Sequence, residues 1–199
     1  MAGIKPKVKL ARKNDEAFVP VSQLAVTLRW STDVDLDLMV FFKAKDGTKG
    51  GVFSEGYPDG NLGSLENFPF MRLSGDAGLG ATGGDNAEEI KIAKLEGIDE
   101  VYVVTINYTD AVEEKSSCFA DYDGSVSIVP YKGQGFTDPN EKDSLEIPLT
   151  SRDPGHVAVI CKIDNMSAVG PKVINMNDVM SLSDFAAKIP GASLILTSE

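Results

Sequence analysis

Hydrophobic and polar residues alternate over residues 24–30, which is the pattern of a β-strand with one face on a hydrophobic core. Successive side chains of a strand point to opposite sides, so every second residue shares a face. The polar or small residues in between would lie on the other face. The predicted core face of this strand consists of Leu24, Val26, Leu28 and Trp30.

The same alternation returns at residues 33–42, with acidic residues on the second face. Carboxylates so close together repel one another, and a bound cation or basic neighbours would offset that cost. A solvated outer face is the alternative interpretation. The predicted core residues are Val34, Leu36, Leu38, Val40 and Phe42, and the predicted acidic residues of the opposite face are Asp33, Asp35 and Asp37.

Residues 101–108 are apolar at almost every position, as expected of a central strand that is covered on both faces. Further β-rich runs at residues 125–131, 144–149 and 157–163 are separated by Gly, Pro, Asp and Asn turns. Many short strands divided by turns predict an all-β fold, a β-sandwich of two mostly antiparallel sheets.

A short helix is predicted only near the end of the chain. Ser181 occupies an N-cap position with an acidic residue three positions later, which is a capping-box pattern. Pro190 and Gly191 would end this helix. Residues 193–197 are then expected to form a last edge strand or a tail.

The charge distribution divides the chain. Its net charge is -11, yet the first thirteen residues contain five Lys or Arg and no acid. The remainder combines 14 basic with 30 acidic residues, which would repel a nucleic-acid backbone, so no nucleic-acid partner is expected. We predict a basic N-terminal arm at residues 1–16, a β-sandwich domain at 17–176, and a C-terminal helix and tail at 177–199. The arm is predicted to be a solubilising terminus with an edge strand, or to dock on the acidic body of this or another copy.

The residues present disfavour several classes of function. The sequence contains no run of about 18 apolar residues, which is the length needed to span a membrane. The N-terminus also lacks the apolar region of a signal peptide, so a cytoplasmic location is expected. Cys118 and Cys161 lack CxxC spacing and are predicted to be small buried hydrophobes. The single histidine, His156, follows a Pro-Gly turn and is predicted to be an exposed loop residue. We therefore expect no enzymatic activity.

A glycine-rich stretch at residues 75–89 begins with Gly-Asp and ends with paired glutamates. Its five glycines permit close backbone approach, so carboxylates and carbonyls can converge on a small volume. Oxygen ligands of this kind suit a hard cation, above all calcium. The stretch lacks the Lys-Ser/Thr ending of a phosphate-binding loop, and its acids would repel phosphate. We predict that this stretch meets the acidic residues 33–37.

The order and spacing of these stretches resemble the TerD family of bacterial tellurium-resistance and general stress proteins. The similarity covers roughly residues 24–163. By this resemblance, the chain is expected to fold as a β-sandwich and to bind one or two calcium ions through its acid-rich elements. The matching pieces are Trp30 ahead of residues 33–37, the Asp46-Gly47 turn, residues 74–76, residues 88–92 and residues 98–106.

The resemblance implies calcium ligands from both acidic elements, completed by backbone carbonyls near Gly78 and Gly80. The chain departs from the family pattern at Ala77 and within residues 83–88, where a carboxylate is missing. Calcium affinity depends on ligand charge and number, so weak binding, a single ion or a lost site is expected. The implied ligands are Asp33, Asp35, Asp76, Asp85 and Glu88, with Asp37 and Glu89 as further candidates.

The resemblance also implies a non-enzymatic role in stress response or tellurite resistance, with protein partners in a stress-response complex and self-association as expectations. A metal-independent protein-interaction module on the same fold is the alternative, binding through an exposed strand edge or through residues 54–67. A third hypothesis is calcium-assisted peripheral contact with a membrane or with carbohydrate. The only candidate for an apolar tip is residues 68–70, and core packing of Phe68 and Phe70 is the alternative interpretation.

Overall fold

The computed structural model describes residues 7–19, 23–74, 86–113, 115–130 and 144–196. Within these residues the chain is mostly β-strand, with two short α-helices and two 3₁₀ helices. The strands are β1 Val8–Lys9, β2 Glu16–Phe18, β3 Leu24–Trp30, β4 Leu36–Ala44, β5 Lys49–Val52, β6 Gly63–Ser64, β7 Met71–Leu73, β8 Asn86–Ile92, β9 Ile98–Asn107, β10 Ser125–Pro130, β11 Leu145–Pro148, β12 Val157–Asp164 and β13 Lys172–Met180. The helices are α1 Tyr108–Val112, α2 Leu182–Lys188 and the 3₁₀ helices Phe119–Asp121 and Ala192–Leu196.

The strands form two sheets that pack face to face, which confirms the predicted β-sandwich with a short C-terminal helix. The first sheet has the order β1-β11-β10-β3-β8-β7-β6, and the second has the order β2-β13-β12-β9-β4-β5. All described strand pairs are antiparallel except β1 with β11. Since β3 belongs to the first sheet and β4 to the second, the short connection between them crosses from one sheet to the other.

The main core lies between the sheets and follows the predicted alternation of β3 and β4. Both sets of predicted core residues in these strands belong to one buried cluster, and Val34 packs against it while partly buried. Burying such large apolar side chains stabilises the fold by about 1.5–3 kcal/mol each. The buried members from the two strands are Leu24, Val26, Leu28, Trp30, Leu36, Leu38, Val40 and Phe42.

A second hydrophobic cluster covers the outer face of the second sheet. Met39 and Phe41 of β4 pack there under Phe185 of α2 and Ile195 of the last 3₁₀ helix. The rings of Phe41 and Phe185 meet edge to face, 5.3 Å apart. This cover explains why the strands at the centre of the second sheet are apolar on both faces, as predicted for residues 101–108.

The C-terminal helix begins as predicted. The Ser181 hydroxyl accepts a hydrogen bond from the Asp184 backbone N–H at 3.1 Å, which caps α2. Gly191 has a positive φ of 85°, and a Cβ atom there would lie 2.5 Å from the Gly50 carbonyl oxygen. The chain after α2 can therefore press against β5 only because glycine occupies this position.

The basic arm docks on its own chain. β1 adds to the first sheet beside β11, where Lys7 and Lys9 pair with Glu146. Lys13 makes a further ion pair with Asp178 of β13. The predicted edge strand is thus confirmed, and the acidic body accepts Lys7, Lys9 and Lys13 of its own arm.

Three sequence predictions about secondary structure were wrong. Residues 193–197 were expected to be a strand or tail, but Ala192–Leu196 is a 3₁₀ helix whose Ile195 is buried. Residue 108 begins α1 instead of ending a strand. The strand pattern predicted over residues 33–42 becomes a strand only from Leu36 onward.

β13 has no counterpart among the strands predicted from the sequence, because buried Asn175 interrupts its apolar pattern. The Asn175 side chain donates to the Leu10 carbonyl at 2.8 Å, and its backbone N–H donates to Asp15. An asparagine satisfied in this way tolerates complete burial. Only the tertiary fold supplies these acceptors, since they come from the opposite end of the chain.

The remaining expectations concern the isolated reactive residues and membranes. Cys161 is fully buried, which raises its pKa, while Cys118 is only partly buried. His156 is partly buried rather than fully exposed, and its Nε2 lies 2.6 Å from the Lys115 carbonyl oxygen. Among the described helices, none combines the length and apolar character required to cross a bilayer.

Candidate metal site

The acidic run at residues 33–37 does not form one face of a strand, because β4 begins only at Leu36. Asp33 is exposed in a bend where the chain crosses between the sheets, so the predicted alternation fails there. Asp35 follows the bend, and its backbone is held by α1: its N–H donates to the Thr109 hydroxyl at 3.1 Å, and its carbonyl accepts from Tyr108 N–H at 3.0 Å. The prediction that Asp33, Asp35 and Asp37 share one strand face was therefore wrong.

Asp37 is the one acid of this run inside β4, and its side chain is only 6% exposed. By alternation it lies on the outer face of the second sheet, the face that carries Met39 and Phe41. The Tyr57 hydroxyl donates a short hydrogen bond to Asp37 Oδ2. A buried carboxylate is therefore provided with a donor from the loop after β5.

Burial and the neighbouring Asp37 carboxylate together raise the pKa of Tyr57 well above its usual range. Tyr57 consequently remains a protonated hydrogen-bond donor at neutral pH. Its ring packs edge to face against Phe53 and Tyr108, with centroid separations of 6.4 Å and 6.0 Å. These contacts fix the hydroxyl group that faces Asp37.

Glu88 reaches the same part of β4 from the other sheet. It shares the core-facing side of β8 with Ile90 and Ile92 and is 2% exposed. Its Oε2 accepts a hydrogen bond from the Leu38 backbone N–H at 2.5 Å. Because β5 pairs with β4 only at positions 40–43, the Glu88 carboxylate serves as the acceptor for a β4 peptide beyond the end of β5.

We call this arrangement the acidic edge, defined as Asp37 and Glu88 together with their donors Tyr57 and the Leu38 N–H. The peptide that binds Glu88 directly follows Asp37, so two buried carboxylates from different sheets converge on adjacent positions of one strand. Burying a carboxyl group in its ionised form is costly, and hydrogen-bond donors or nearby cations offset that cost.

Glu89 points to the other side of its strand. It is 1% exposed, accepts a hydrogen bond from the Thr27 hydroxyl at 3.0 Å, and lies 3.6 Å from Lys91 Nζ. Neighbouring residues of a strand face opposite sides of the sheet, so Glu88 and Glu89 cannot act together on one ion. The structure thus brings Glu88 to the acidic edge and leaves Glu89 on the outer face of the first sheet.

Two of the implied ligands, Asp76 and Asp85, lie outside the described residues, as do Gly78 and Gly80. Among the described ranges, no group of three or more His, Cys, Asp or Glu side chains is placed to hold a metal ion. The oxygen donors that are described suit a hard cation in kind. Their number at the acidic edge is smaller than the six to eight oxygens that calcium takes.

Tyr57, which lies in the long polar stretch at residues 54–67, was not among the site residues predicted from the sequence. That stretch is held by a bridge between Phe53 and Asn61 and by β6, instead of being a free loop. An aromatic residue ahead of a Pro-Asp-Gly turn in a polar stretch was the available signal. Its partner was not predictable, because Asp37 lies 20 residues earlier in the sequence.

A scan against protein-family models matches none of them to this chain, and a search of curated proteins finds no match either. The resemblance to the TerD family therefore rests on the order and spacing of the motifs described above. The β-sandwich architecture is consistent with that resemblance, but a sandwich fold by itself does not define function.

Proposed function

We propose that this chain is a non-enzymatic, calcium-binding β-sandwich in which the ion joins the start of β4 to the glycine-rich stretch. The observation that supports this proposal is the convergence of Asp37 and Glu88 on adjacent positions of β4. Asp35 precedes the same strand, and Asp76 and Asp85 are the further ligands implied by sequence resemblance. Calcium bound there would neutralise buried carboxylates and tie a strand to a loop.

The role that fits such a site is structural or adaptor-like. An ion that binds only the folded state stabilises it by mass action, by about 2.7 kcal/mol at a concentration of 100 times Kd. One end of the sandwich would become stiffer when calcium rises, and a stress-response partner would then recognise the calcium-loaded form.

Calorimetry tests the proposal directly. We expect calcium, but not sodium at equal ionic strength, to raise the melting temperature of the parent protein and to give a saturable binding heat. The double variant Asp76→Ala/Asp85→Ala should lose both effects. Glu55→Gln, which removes an equal type of charge from an exposed loop position, is the matched control and should behave like the parent.

Two results would argue against the calcium proposal. The first is a parent protein whose melting temperature and titration heat do not respond to calcium. The second is a double variant that binds calcium as tightly as the parent, which would move the ion away from residues 75–85.

A metal-independent interaction module is the second candidate, and exposed apolar side chains favour it. Val169 is 77% exposed and Met166 is 59% exposed, both in the connection between β12 and β13. Phe18 is 53% exposed on the edge strand β2, where it pairs with Lys172 at the end of that connection. Apolar side chains beside an edge strand are suited to binding a protein partner.

The two functions predict different responses to a chelator. The interaction module should melt at the same temperature with and without a chelator and should form a defined oligomer in size-exclusion chromatography. Val169→Asp should then dissociate that oligomer into monomers without changing the melting temperature. A chelator-dependent melting temperature in a monomeric protein would exclude this second candidate.

A further inference from the structure

A pocket of about 190 Å³ lies at the end of the first sheet where Trp30 of β3 pairs with Asn86 of β8. We call it the Arg29 pocket. Its volume corresponds to roughly six water molecules, so it suits a small molecule or a chemical group rather than a large ligand. The residues that line it are Arg29, Trp30, Ser31, Asn86, Asp123 and Ser125.

The position of Arg29 follows from the alternation of β3. Leu28 and Trp30 face the core, so Arg29 faces outward from the first sheet. It pairs in register with Ser125 of β10 and with Ala87 of β8. Directly opposed residues on one sheet face are close neighbours, which places a hydroxyl on one side of the guanidinium and only a methyl group on the other.

Arg29 is only partly buried, but one of its donors is enclosed by the protein. Its Nε is buried and, among the described residues, has no hydrogen-bond partner. Buried donors are almost always satisfied in folded proteins, and a charged donor is the most costly to leave without an acceptor. An acceptor group bound in the pocket would satisfy this donor.

The lining residues define the charge of that ligand. Asp123 is exposed at the mouth of the pocket, and its Oδ2 accepts a hydrogen bond from the Ser31 hydroxyl at 3.3 Å. One positive and one negative side chain leave the pocket close to neutral, which disfavours a dianion such as phosphate. A planar carboxylate matches the donor fork of a guanidinium and carries a single charge.

We infer that the Arg29 pocket binds the carboxylate group of a small organic monoanion, with Arg29 as its principal donor and the Ser125 hydroxyl beside it. None of the residues that line it is among the implied calcium ligands. Asp123 weakens the affinity for anions in general and thereby selects against more highly charged ones.

The tryptophan provides a direct readout. Trp30 is the only tryptophan in the chain and lines the pocket, with its indole N–H held by the Val34 carbonyl at 2.8 Å. Titration with sodium propionate, against sodium chloride at equal ionic strength, should give a saturable change in its emission. A ligand of so few atoms is expected to bind with millimolar Kd.

Three variants and one competing anion complete the test. Arg29→Gln should weaken propionate binding about tenfold or more, because a charge-assisted hydrogen bond is lost. Asp123→Asn, at an exposed position, should tighten propionate binding several-fold because it removes a negative charge from the pocket. This variant tests the proposal even if Arg29→Gln folds poorly. Arg12→Gln is the matched control, since Arg12 is exposed and pairs with Asp15 instead. It should leave the titration unchanged.

The proposal fails if the folded parent shows no saturable change with propionate, or if Arg29→Gln binds as tightly as the parent. Weaker binding by Asp123→Asn would also overturn it. Inorganic phosphate is the competing probe: tighter binding of phosphate than of propionate would reject the carboxylate assignment.

Discussion

The acidic edge and the Arg29 pocket both hold buried charge, but they treat it in opposite ways. At the acidic edge, Asp37 and Glu88 each accept a hydrogen bond from a protein donor. In the Arg29 pocket, a guanidinium nitrogen is buried without an acceptor among the described residues. The protein itself supplies a hydrogen-bond donor to each carboxylate of the first site, whereas the buried donor of the second site has no acceptor among the described residues.

This difference shows that burial of a charged group does not by itself indicate a ligand-binding site. Burying a carboxylate costs free energy, so a buried acidic residue suggests a functional site. Glu88, however, accepts a hydrogen bond from a β4 peptide that has no strand partner in β5, which is a structural role. An unmatched buried donor has no such role. The predictions below test the contrast by removing each group in turn.

The largest effect is expected at Glu88. Glu88→Ala leaves the Leu38 N–H without its acceptor in the core and should lower the free energy of unfolding by about 3 kcal/mol. Glu88→Gln keeps an acceptor oxygen and should cost about 1 kcal/mol. Urea denaturation of both variants in the presence of chelator measures the difference. Equal losses for the two variants would mean that the hydrogen bond to β4 is unimportant.

A smaller loss is expected at Tyr57. Tyr57→Phe removes the hydroxyl that donates to Asp37 and should cost about 1.5 kcal/mol of unfolding free energy. Tyr108→Phe is the matched control, because Tyr108 is exposed and contributes its ring to the same aromatic group. The control should lie within about 0.5 kcal/mol of the parent. A comparable loss in both variants would indicate ring packing instead of the hydrogen bond.

The same residue gives a pH dependence of known sign. The pKa of Tyr57 is raised in the folded protein by burial and by Asp37, so folded Tyr57 stays protonated where unfolded Tyr57 ionises. Its contribution to stability is complete below about pH 10 and is lost as the pH rises further. Urea midpoints measured from about pH 8 to pH 10.5 should fall less steeply for Tyr57→Phe than for the parent. Parallel curves would contradict this assignment.

The smallest effect, and one of opposite sign, is expected at Arg29. Arg29→Met keeps the length of the side chain but removes the buried Nε donor that lacks a described acceptor, so stability without ligand should be unchanged or rise by about 1 kcal/mol. Thermal melting without added carboxylate measures this change. A decrease of more than about 1 kcal/mol in the free energy of unfolding would show that Arg29 has a structural role, as Glu88 does.

Much of the fold was predictable because it depends on local alternation. β3, β4, β9 and the capped helix α2 follow patterns that require no knowledge of distant residues. The start of β4 was misplaced, since the residues before it cross between the sheets. β13 was missed because Asn175 is buried among acceptors that only the folded chain supplies.

Part of the candidate site falls on residues that the structure describes. The sequence predicted that residues 75–89 meet the acidic residues 33–37; of the described residues, Glu88 accepts a hydrogen bond from the Leu38 N–H, directly after Asp37. The sequence could not tell which of Glu88 and Glu89 faces inward, although the period of two guarantees that they face opposite sides. Tyr57 as the partner of Asp37 depends on a contact between separate elements.

The sequence by itself determined the architecture, because the period-two alternation of apolar residues allows only sheets that pack on a common core. It also determined the charge asymmetry that sets the basic arm against an acidic body. Only the tertiary structure decided which charges are matched. Hydrogen-bond partners come from strands that are distant in sequence. Only the packed sheets therefore show that Glu88 has a hydrogen-bond donor in Leu38, and that Arg29 Nε has no acceptor among the described residues.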